Sequence, residues 1–285
     1  MLDCSLLLKT GEQILKKNGI LTSRLDSEVL LSSIAGKDRL ELVSKENLKV
    51  SNKQALDYQQ MIERRKKKEP IAYIIKRKEF FNLPFFVNSY SLIPRPETEL
   101  LVERILRMYK NKKLNILDVG TGSGCMILSL LKSMPNARGV GLEISKNAIK
   151  IAKINAKKIL KDRIFKVKFA HNSIQNFCSK KHFDVIISNP PYIPTYEIKN
   201  LSDDVKNFEP KLALDGGKDG LDVIKKVIYK SRYILKSQGL LALEIGNGQY
   251  FKVSQILKNN FFRTKYLIKD FKNNIRCILS ELNFK

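Results

Sequence analysis

The chain is poor in cysteine, histidine and acidic residues. Its four cysteines, Cys4, Cys125, Cys178 and Cys277, lie far apart and form no C-x-x-C pair. That spacing argues against a structural zinc site and a disulfide scaffold, and it fits a reducing compartment. The two histidines, His171 and His182, have no acidic or thiol ligands at metal-binding spacing, so no metal is expected. No apolar run approaches the roughly 20 residues that span a bilayer. Near the start, Asp3 precedes the short run Leu6-Leu7-Leu8 and Lys9 follows it. A secretory leader has basic residues first and a longer apolar stretch. A cytoplasmic protein with no membrane association is expected.

The acid shortage leaves a large positive charge. Against 28 Asp and Glu stand 53 Lys and Arg, a net charge of +25 over 285 residues. A basic surface attracts phosphate, which invites a nucleic-acid reading. A second explanation competes with it. Of the basic residues 40 are Lys, and the chain also holds 30 Ile and 21 Asn. These three amino acids share AT-rich codons, so genome bias can supply much of the charge. The excess is also broad, with 17 basic against 11 acidic residues over 1–90 and 36 against 17 over 91–285. Composition alone selects neither reading. With 43% hydrophobic and 28% charged residues, the chain is globular, long enough for one large domain or two ordinary ones.

Residues 1 to about 75 read as helical. Leu6, Leu7, Ile14 and Leu15 recur at helical spacing. Ser27 is a candidate cap for the run Glu28-Val29-Leu30-Leu31, which Gly36 ends. Asn52 is a candidate cap for a helix running into Arg64-Arg65-Lys66-Lys67-Lys68, before Pro70. Cations in a last helical turn suit the negative end of the helix dipole, so this basic run has a structural explanation. Residues 79–93, rich in Phe, Val and Ile around Asn82, Pro84, Asn88 and Ser89, predict a β-hairpin. Ile93-Pro94-Arg95-Pro96-Glu97-Thr98 then reads as a junction, with a helix over 97–109.

From residue 114 the pattern turns to strands alternating with helices. Strands are predicted at 114–119, 137–142, 165–170, 183–188, 240–245, 263–269 and 275–282. Helices are predicted at 125–133, 147–160, 221–235 and 251–258. This alternation implies a parallel sheet covered by helices on both faces, an α/β fold.

Asp118-Val119-Gly120-Thr121-Gly122-Ser123-Gly124 joins the first of these strands to its helix. Glycines there permit tight turns and close approach to a ligand, at the strand ends where α/β sheets bind nucleotides. Glu143 closes the next strand, and a carboxylate at that place can accept from both ribose hydroxyls. The loop lacks the Lys of G-x-x-x-x-G-K-[ST] and differs from the dinucleotide spacing G-x-G-x-x-G. It resembles the first motif of S-adenosylmethionine-dependent methyltransferases, whose cofactor has no pyrophosphate.

Asn189-Pro190-Pro191-Tyr192 follows the strand at 183–188. A proline turn with an aromatic plug is the plain alternative. The chemistry offers more. An amide or aromatic-amine nitrogen is a weak nucleophile because its lone pair is delocalised. The Asn189 side-chain oxygen and the Pro190 carbonyl can each accept one N–H from such an NH2 group, localising the lone pair toward the methyl group. Tyr192 can stack on the planar group. The transfer is then an in-line displacement driven by positioning. This tetrapeptide resembles those of amino-methyltransferases acting on adenine N6 or on glutamine N5, and by itself it does not choose between them.

The rest of the chain resembles the bacterial HemK/PrmC family, which methylates the glutamine of the Gly-Gly-Gln motif in peptide chain release factors. The likeness runs through Pro70-Ile71-Ala72-Tyr73-Ile74, Glu79-Phe80-Phe81, residues 93–99, the loop 118–124 and Asn189-Pro190-Pro191-Tyr192-Ile193. It continues through Phe208-Glu209-Pro210, residues 216–221 and Leu243-Glu244-Ile245-Gly246. The resemblance implies a class I, Rossmann-like seven-stranded methyltransferase sheet preceded by a small helical domain. Its expected parts are a release-factor-binding domain at 1–75, a hairpin linker at 76–98 and a catalytic domain at 99–285. It implies S-adenosylmethionine as cofactor, held by Asp118, Gly120, Thr121, Gly122, Ser123, Gly124, Glu143, Asn172, Ser173 and Asn189. It implies that Asn189, Pro190, Pro191 and Tyr192 bind the substrate amide and carry catalysis. Arg95 and Glu97 then brace the active-site wall, or else form junction salt bridges. Two departures stand out: Glu143 where Asp is common, and His171-Asn172-Ser173 where the family has an acid for the adenine. Release factors are the expected partners of a monomeric enzyme, and nucleic acid is not required. A DNA or RNA adenine N6-methyltransferase is the second reading. A noncatalytic RNA- or ribosome-binding module is the third.

Overall fold

The computed structural model describes residues 1–44, 48–179 and 182–283. They form two compact units, one of 1–77 with 202–208 and one of 78–201 with 209–285.

The first unit is helical, as the sequence predicts. Helix α1 (Cys4–Lys17) starts at Asp3, whose Oδ1 accepts from the Ser5 and Leu6 amides at 2.8 and 3.2 Å. Helix α2 (Ser23–Ala35) ends at Gly36, which takes the left-handed conformation at φ 64°. Short α3 (Arg39–Ser44), α4 (Asn52–Lys66) and α5 (Ile71–Ile74, after Pro70) follow. Their apolar stripes close on Leu7, Leu15, Leu30, Leu31, Tyr58 and Ile62.

Two capping expectations shift. Ser27 is not a cap but a buried residue inside α2. Its hydroxyl donates to the Leu8 carbonyl at 3.0 Å and lies 2.5 Å from the Tyr58 hydroxyl. The cap of α4 is Ser51, one residue before Asn52, because Ser51 and Gln54 exchange reciprocal side-chain bonds with each other's amides. The basic run is structural. Arg65 pairs with Asp26 at 2.7 Å, Arg64 with Glu69, and Lys68 Nζ donates to the Asn18 and Gly19 carbonyls.

The hairpin is shorter and earlier than 79–93. Arg77–Phe80 pairs with Leu83–Phe86 around Phe81 and Asn82, both at positive φ (49° and 55°). Two consecutive left-handed residues suit the twist of a two-residue hairpin, so the pairing closes there. Glu99 fixes that turn by accepting from the Phe81 amide at 3.0 Å. Glu99 lies on α6 (Pro96–Tyr109), whose first position is a proline.

The second unit is built on seven strands, β1 (Asn115–Val119), β2 (Arg138–Glu143), β3 (Val167–His171), β4 (Phe183–Ser188), β5 (Leu235–Glu244), β6 (Phe262–Lys269) and β7 (Ile275–Leu282). Their order is β6-β7-β5-β4-β1-β2-β3. β1 through β5 are parallel, and β7 runs antiparallel between β5 and β6. Helices α7 (Cys125–Ser133), α8 (Lys146–Leu160), α10 (Asp222–Ile234) and α11 (Tyr250–Asn259) connect the strands; α9 (Asp203–Phe208) belongs to the first unit. Ile116, Leu117, Ile186, Ile187, Leu241 and Leu243 are fully buried, as central parallel strands require. The third strand begins at Val167 rather than 165, because residues 161–166 form a 3-10 turn. Among the described residues no helix is long and apolar enough to cross a membrane.

Candidate active site

Parallel strands bring their carboxyl ends to one rim. Val119 stands in register with Leu142 and with Ser188, and Glu143 with His171. Therefore the loop 120–124, Glu143, Asn172-Ser173 and Asn189 all leave the sheet on that rim.

The glycine loop is pinned from below. The Gly120 and Thr121 amides both donate to the Leu142 carbonyl, at 2.8 and 3.0 Å. Thr121 Oγ1 donates to Asp118 Oδ2 at 2.7 Å. Gly120 and Gly122 sit at φ 73° and 56°, where a side chain is strained. Glu143 accepts from three amides: Gly122 on Oε2 at 3.0 Å, and Ile144 and Ser145 on Oε1 at 2.9 and 3.0 Å. From α8, fully buried Asn155 donates to the Ser123 carbonyl at 2.9 Å. It also bonds both the amide and the carbonyl of Phe86 in the hairpin, at 2.7 and 3.0 Å. Asn172 Oδ1 accepts from the Ser173 amide at 2.9 Å, and the Asn172 backbone amide donates to the Glu143 carbonyl at 3.1 Å. Ser173 Oγ in turn accepts from the Asn176 amide.

These residues fit a nucleoside cofactor. A Cβ built on Gly120 would meet nothing within 4 Å, so the face of the loop is open. Below it, Asp118 Oδ1 and Ser123 Oγ are buried without a hydrogen-bond partner. A fully buried carboxylate is costly to ionise, and burial pushes Asp118 up to about 7 against the bond from Thr121.

Beyond the end of β4, Asn189 Nδ2 donates to Thr98 Oγ1 at 3.1 Å. Thr98, in the first turn of α6, donates its hydroxyl to Glu244 Oε2 at 2.6 Å. Glu244 ends β5 and is fully buried. Tyr192 donates to its Oε1 at 3.4 Å, and Arg276 of β7 lies 3.9 Å from the same oxygen. Arg276 also donates to the Tyr192 hydroxyl at 3.1 Å and stands 5.6 Å from its ring centre. Burial raises Glu244, while Thr98 and Arg276 oppose the rise. Tyr192 is pushed up to about 12 by burial and by the Glu244 charge.

Gly216 and Gly220 pack against this tetrapeptide, Gly220 beside the Tyr192 carbonyl. A Cβ on Gly216 would come within 2.8 Å of the Pro191 carbonyl. Gln249 closes the same turn, donating to the Tyr192 carbonyl at 2.9 Å and accepting from Gly246. Arg95 forms an ion pair with Glu209, which also accepts from the Ile93 amide at 3.2 Å. That pair joins the Ile-Pro-Arg-Pro junction to the Phe-Glu-Pro segment.

Sequence reasoning named the loop, Glu143, Asn172 and the tetrapeptide, and the fold sets them along one rim. It assigned no role to Thr98, Glu244, Arg276 or Asn155. Glu244 had a visible signal, an acid inside the otherwise apolar run 240–245. Among the described residues no cluster of His, Cys, Asp and Glu is placed to hold a metal.

The open α/β sheet with its glycine loop is that of a methyltransferase, since its residues 96–202 match a methyltransferase family model. A solved methyltransferase from Pyrococcus furiosus shares the fold at TM-score 0.54 and 17% identity, covering 73% of this chain and 92% of that one. Residues 7–75 match the PrmC N-terminal domain model and residues 96–202 the methyltransferase small domain model. The release factor glutamine methyltransferase of Clostridium acetobutylicum is 39% identical over 90% of both chains. That of Caulobacter vibrioides is 34% identical over 94% of this chain and 93% of its own. A bifunctional methyltransferase of Rickettsia prowazekii is 35% identical over 97% of this chain, which spans 57% of it. The chain belongs to the release factor glutamine methyltransferase family. Enzymes of this class take their methyl group from S-adenosylmethionine.

Proposed function

We propose that this enzyme methylates the side-chain amide of the glutamine in the Gly-Gly-Gln motif of peptide chain release factors. The observation that carries the reading is Asn189 on the rim, where Thr98 engages the donor end of its carboxamide. The family membership supplies the acceptor class, which the tetrapeptide alone leaves open between adenine and glutamine.

Asp118, the loop 120–124 and Glu143 form the cofactor cradle, with Asn172 and Ser173 beside it and Asn189 at its boundary with the substrate. S-adenosylmethionine, when bound, supplies a methyl group on a positively charged sulfur. Asn189 Oδ1 and the Pro190 carbonyl accept the two N–H bonds of the substrate amide, and Pro191 and Tyr192 wall the site. Two acceptors fix the nitrogen and oppose its conjugation, which replaces a general base by positioning. As the substrate nitrogen takes the methyl group, the methyl–sulfur bond breaks and leaves a neutral thioether, and the extra proton on the nitrogen then passes to solvent. Residues 1–75 serve to engage the release factor, residues 76–98 link them, and 99–285 carry the chemistry. A monomer working in the cytoplasm fits this substrate. The +25 charge then needs no nucleic-acid partner.

The test is direct. Protein, release factor and S-adenosylmethionine are mixed, and the Gly-Gly-Gln peptide is weighed by mass spectrometry. One added methyl on the glutamine is expected. No gain, with cofactor binding intact, sinks the reading.

A further inference from the structure

We infer that Thr98 is a positioning residue for the transfer: with Glu244 behind it, it forces the Asn189 carboxamide to present its oxygen, not its amino group, to the substrate. The inference rests on the amide-methylation reading of this site and goes further, because it explains why one end of the carboxamide faces the reacting nitrogen.

A carboxamide has an acceptor end and a donor end of almost the same shape. Only the acceptor end can hold a substrate NH2 group; the donor end would set N–H against N–H. Some contact must therefore choose between the two. Burial raises Glu244, but its Oε1 accepts from the Tyr192 hydroxyl at 3.4 Å and faces Arg276 at 3.9 Å, and these contacts hold its carboxylate as an acceptor. The Thr98 hydroxyl has one proton, and Glu244 Oε2 takes it at 2.6 Å. What Thr98 shows to Asn189 is then only a lone pair. The matching partner at 3.1 Å is Nδ2. The reverse orientation would oppose two lone pairs. Tyr192 donates to the other carboxylate oxygen, so both Glu244 oxygens have assigned partners.

The relay joins motifs far apart in the chain. Thr98 belongs to the junction at 93–98 and Glu244 lies 146 positions later, at the end of β5. The Thr98 side chain contacts neither the glycine loop nor Glu143 among the described bonds. Its loss should therefore act on the transfer step and leave cofactor binding alone.

The experiment uses the full-length enzyme with release factor and S-adenosylmethionine. Wild-type methylation is measured first, because its absence overturns the parent reading and not this one. Thr98→Val keeps the shape and removes the hydroxyl. Its kcat is expected to fall about 10- to 100-fold, the value of one buried polar contact. The cofactor Kd, by calorimetry, should stay within about twofold, since no bond to the cradle is lost. Thr98→Ser restores the hydroxyl and should recover most of kcat. In an Asn189→Ala background Thr98→Val should cost nothing more, because the effect passes through Asn189. A wild-type kcat for Thr98→Val, or equal losses in both backgrounds, overturns the inference. Should Thr98→Val fail to fold, NMR of the labelled wild type decides. A through-space contact from the Asn189 Nδ2 protons to Thr98 Hβ is expected, and its absence overturns the relay.

Discussion

Glu143 Oε2 lies 3.0 Å from the Gly122 amide, so the acid of the second strand holds the loop of the first. A carboxylate has about four acceptor positions, and three are filled by Gly122, Ile144 and Ser145. A ribose diol asks for two. Cofactor binding should therefore displace the Gly122 bond, and titration should move the Gly122 amide resonance more than those of Ile144 and Ser145. Glu143→Ala should weaken S-adenosylmethionine binding about tenfold or more, read by calorimetry, because charge-assisted bonds are among the strong ones. An unchanged Kd would remove Glu143 from the cradle.

Asp118 makes stability fall with pH. Its folded value of about 7 lies above the ordinary 3.8. Below about pH 4 it is protonated in both states and costs nothing. As pH rises to about 7 the unfolded chain ionises first, so the folded state loses stability, and above that the loss is constant. Asp118→Asn removes the titration. Relative to wild type, that variant should gain stability between pH 4 and 7, by up to about 4 kcal/mol. Denaturant melts at several pH values read the difference, and a pH-independent difference would contradict the burial argument.

Asn155 ties the hairpin to the glycine loop with three bonds, the one to Ser123 buried and the two to Phe86 partly so. Asn155→Ala strands the Phe86 amide and two carbonyls. A loss of about 2–3 kcal/mol is expected, with a lower melting temperature. Cofactor affinity should fall as well, since Ser123 loses its anchor. A variant that melts like wild type would show that water replaces the side chain at no cost.

Gly11 is the point where α1 admits Tyr58. A Cβ there would overlap the Tyr58 hydroxyl and approach Ser27 Oγ within 2.9 Å. Gly11→Ala should destabilise the N-terminal unit by about 1–3 kcal/mol. Adding Tyr58→Phe should return part of that loss. Hydrogen exchange over residues 1–75 is the readout, with unchanged protection as the contrary result.

Strand-helix alternation was legible because β1 and β4 are apolar on both faces, as in Ile116-Leu117 and Ile186-Ile187. The loop and Glu143 were legible because strand ends and glycines announce themselves locally. Ser27 misled because a serine before an apolar run looks the same whether it caps a helix or satisfies a tyrosine in the core. Asn172, expected among the cofactor-binding residues, also closes its own turn: its oxygen accepts from the Ser173 amide, a local bond that spacing does not reveal, and keeps a second lone pair for a ligand. The Thr98–Glu244 contact was out of reach for a different reason. Neither residue signals its partner, and only the closing of the sheet against α6 brings them together.

The position of β7 bears on how the enzyme is made. It is the last of the seven strands in sequence but an interior one in the sheet, seated between β5 and β6. Glu244 stands in register with Cys277, next to the Arg276 that neutralises it. A nascent chain that has not yet passed residue 275 already carries the glycine loop, Glu143 and the Asn189 tetrapeptide. It also carries an open edge on β5 and a buried acid without its cation. Such an edge is a template for pairing with other chains. A chain cut before residue 275 would therefore be an aggregation-prone product instead of a slightly shortened enzyme.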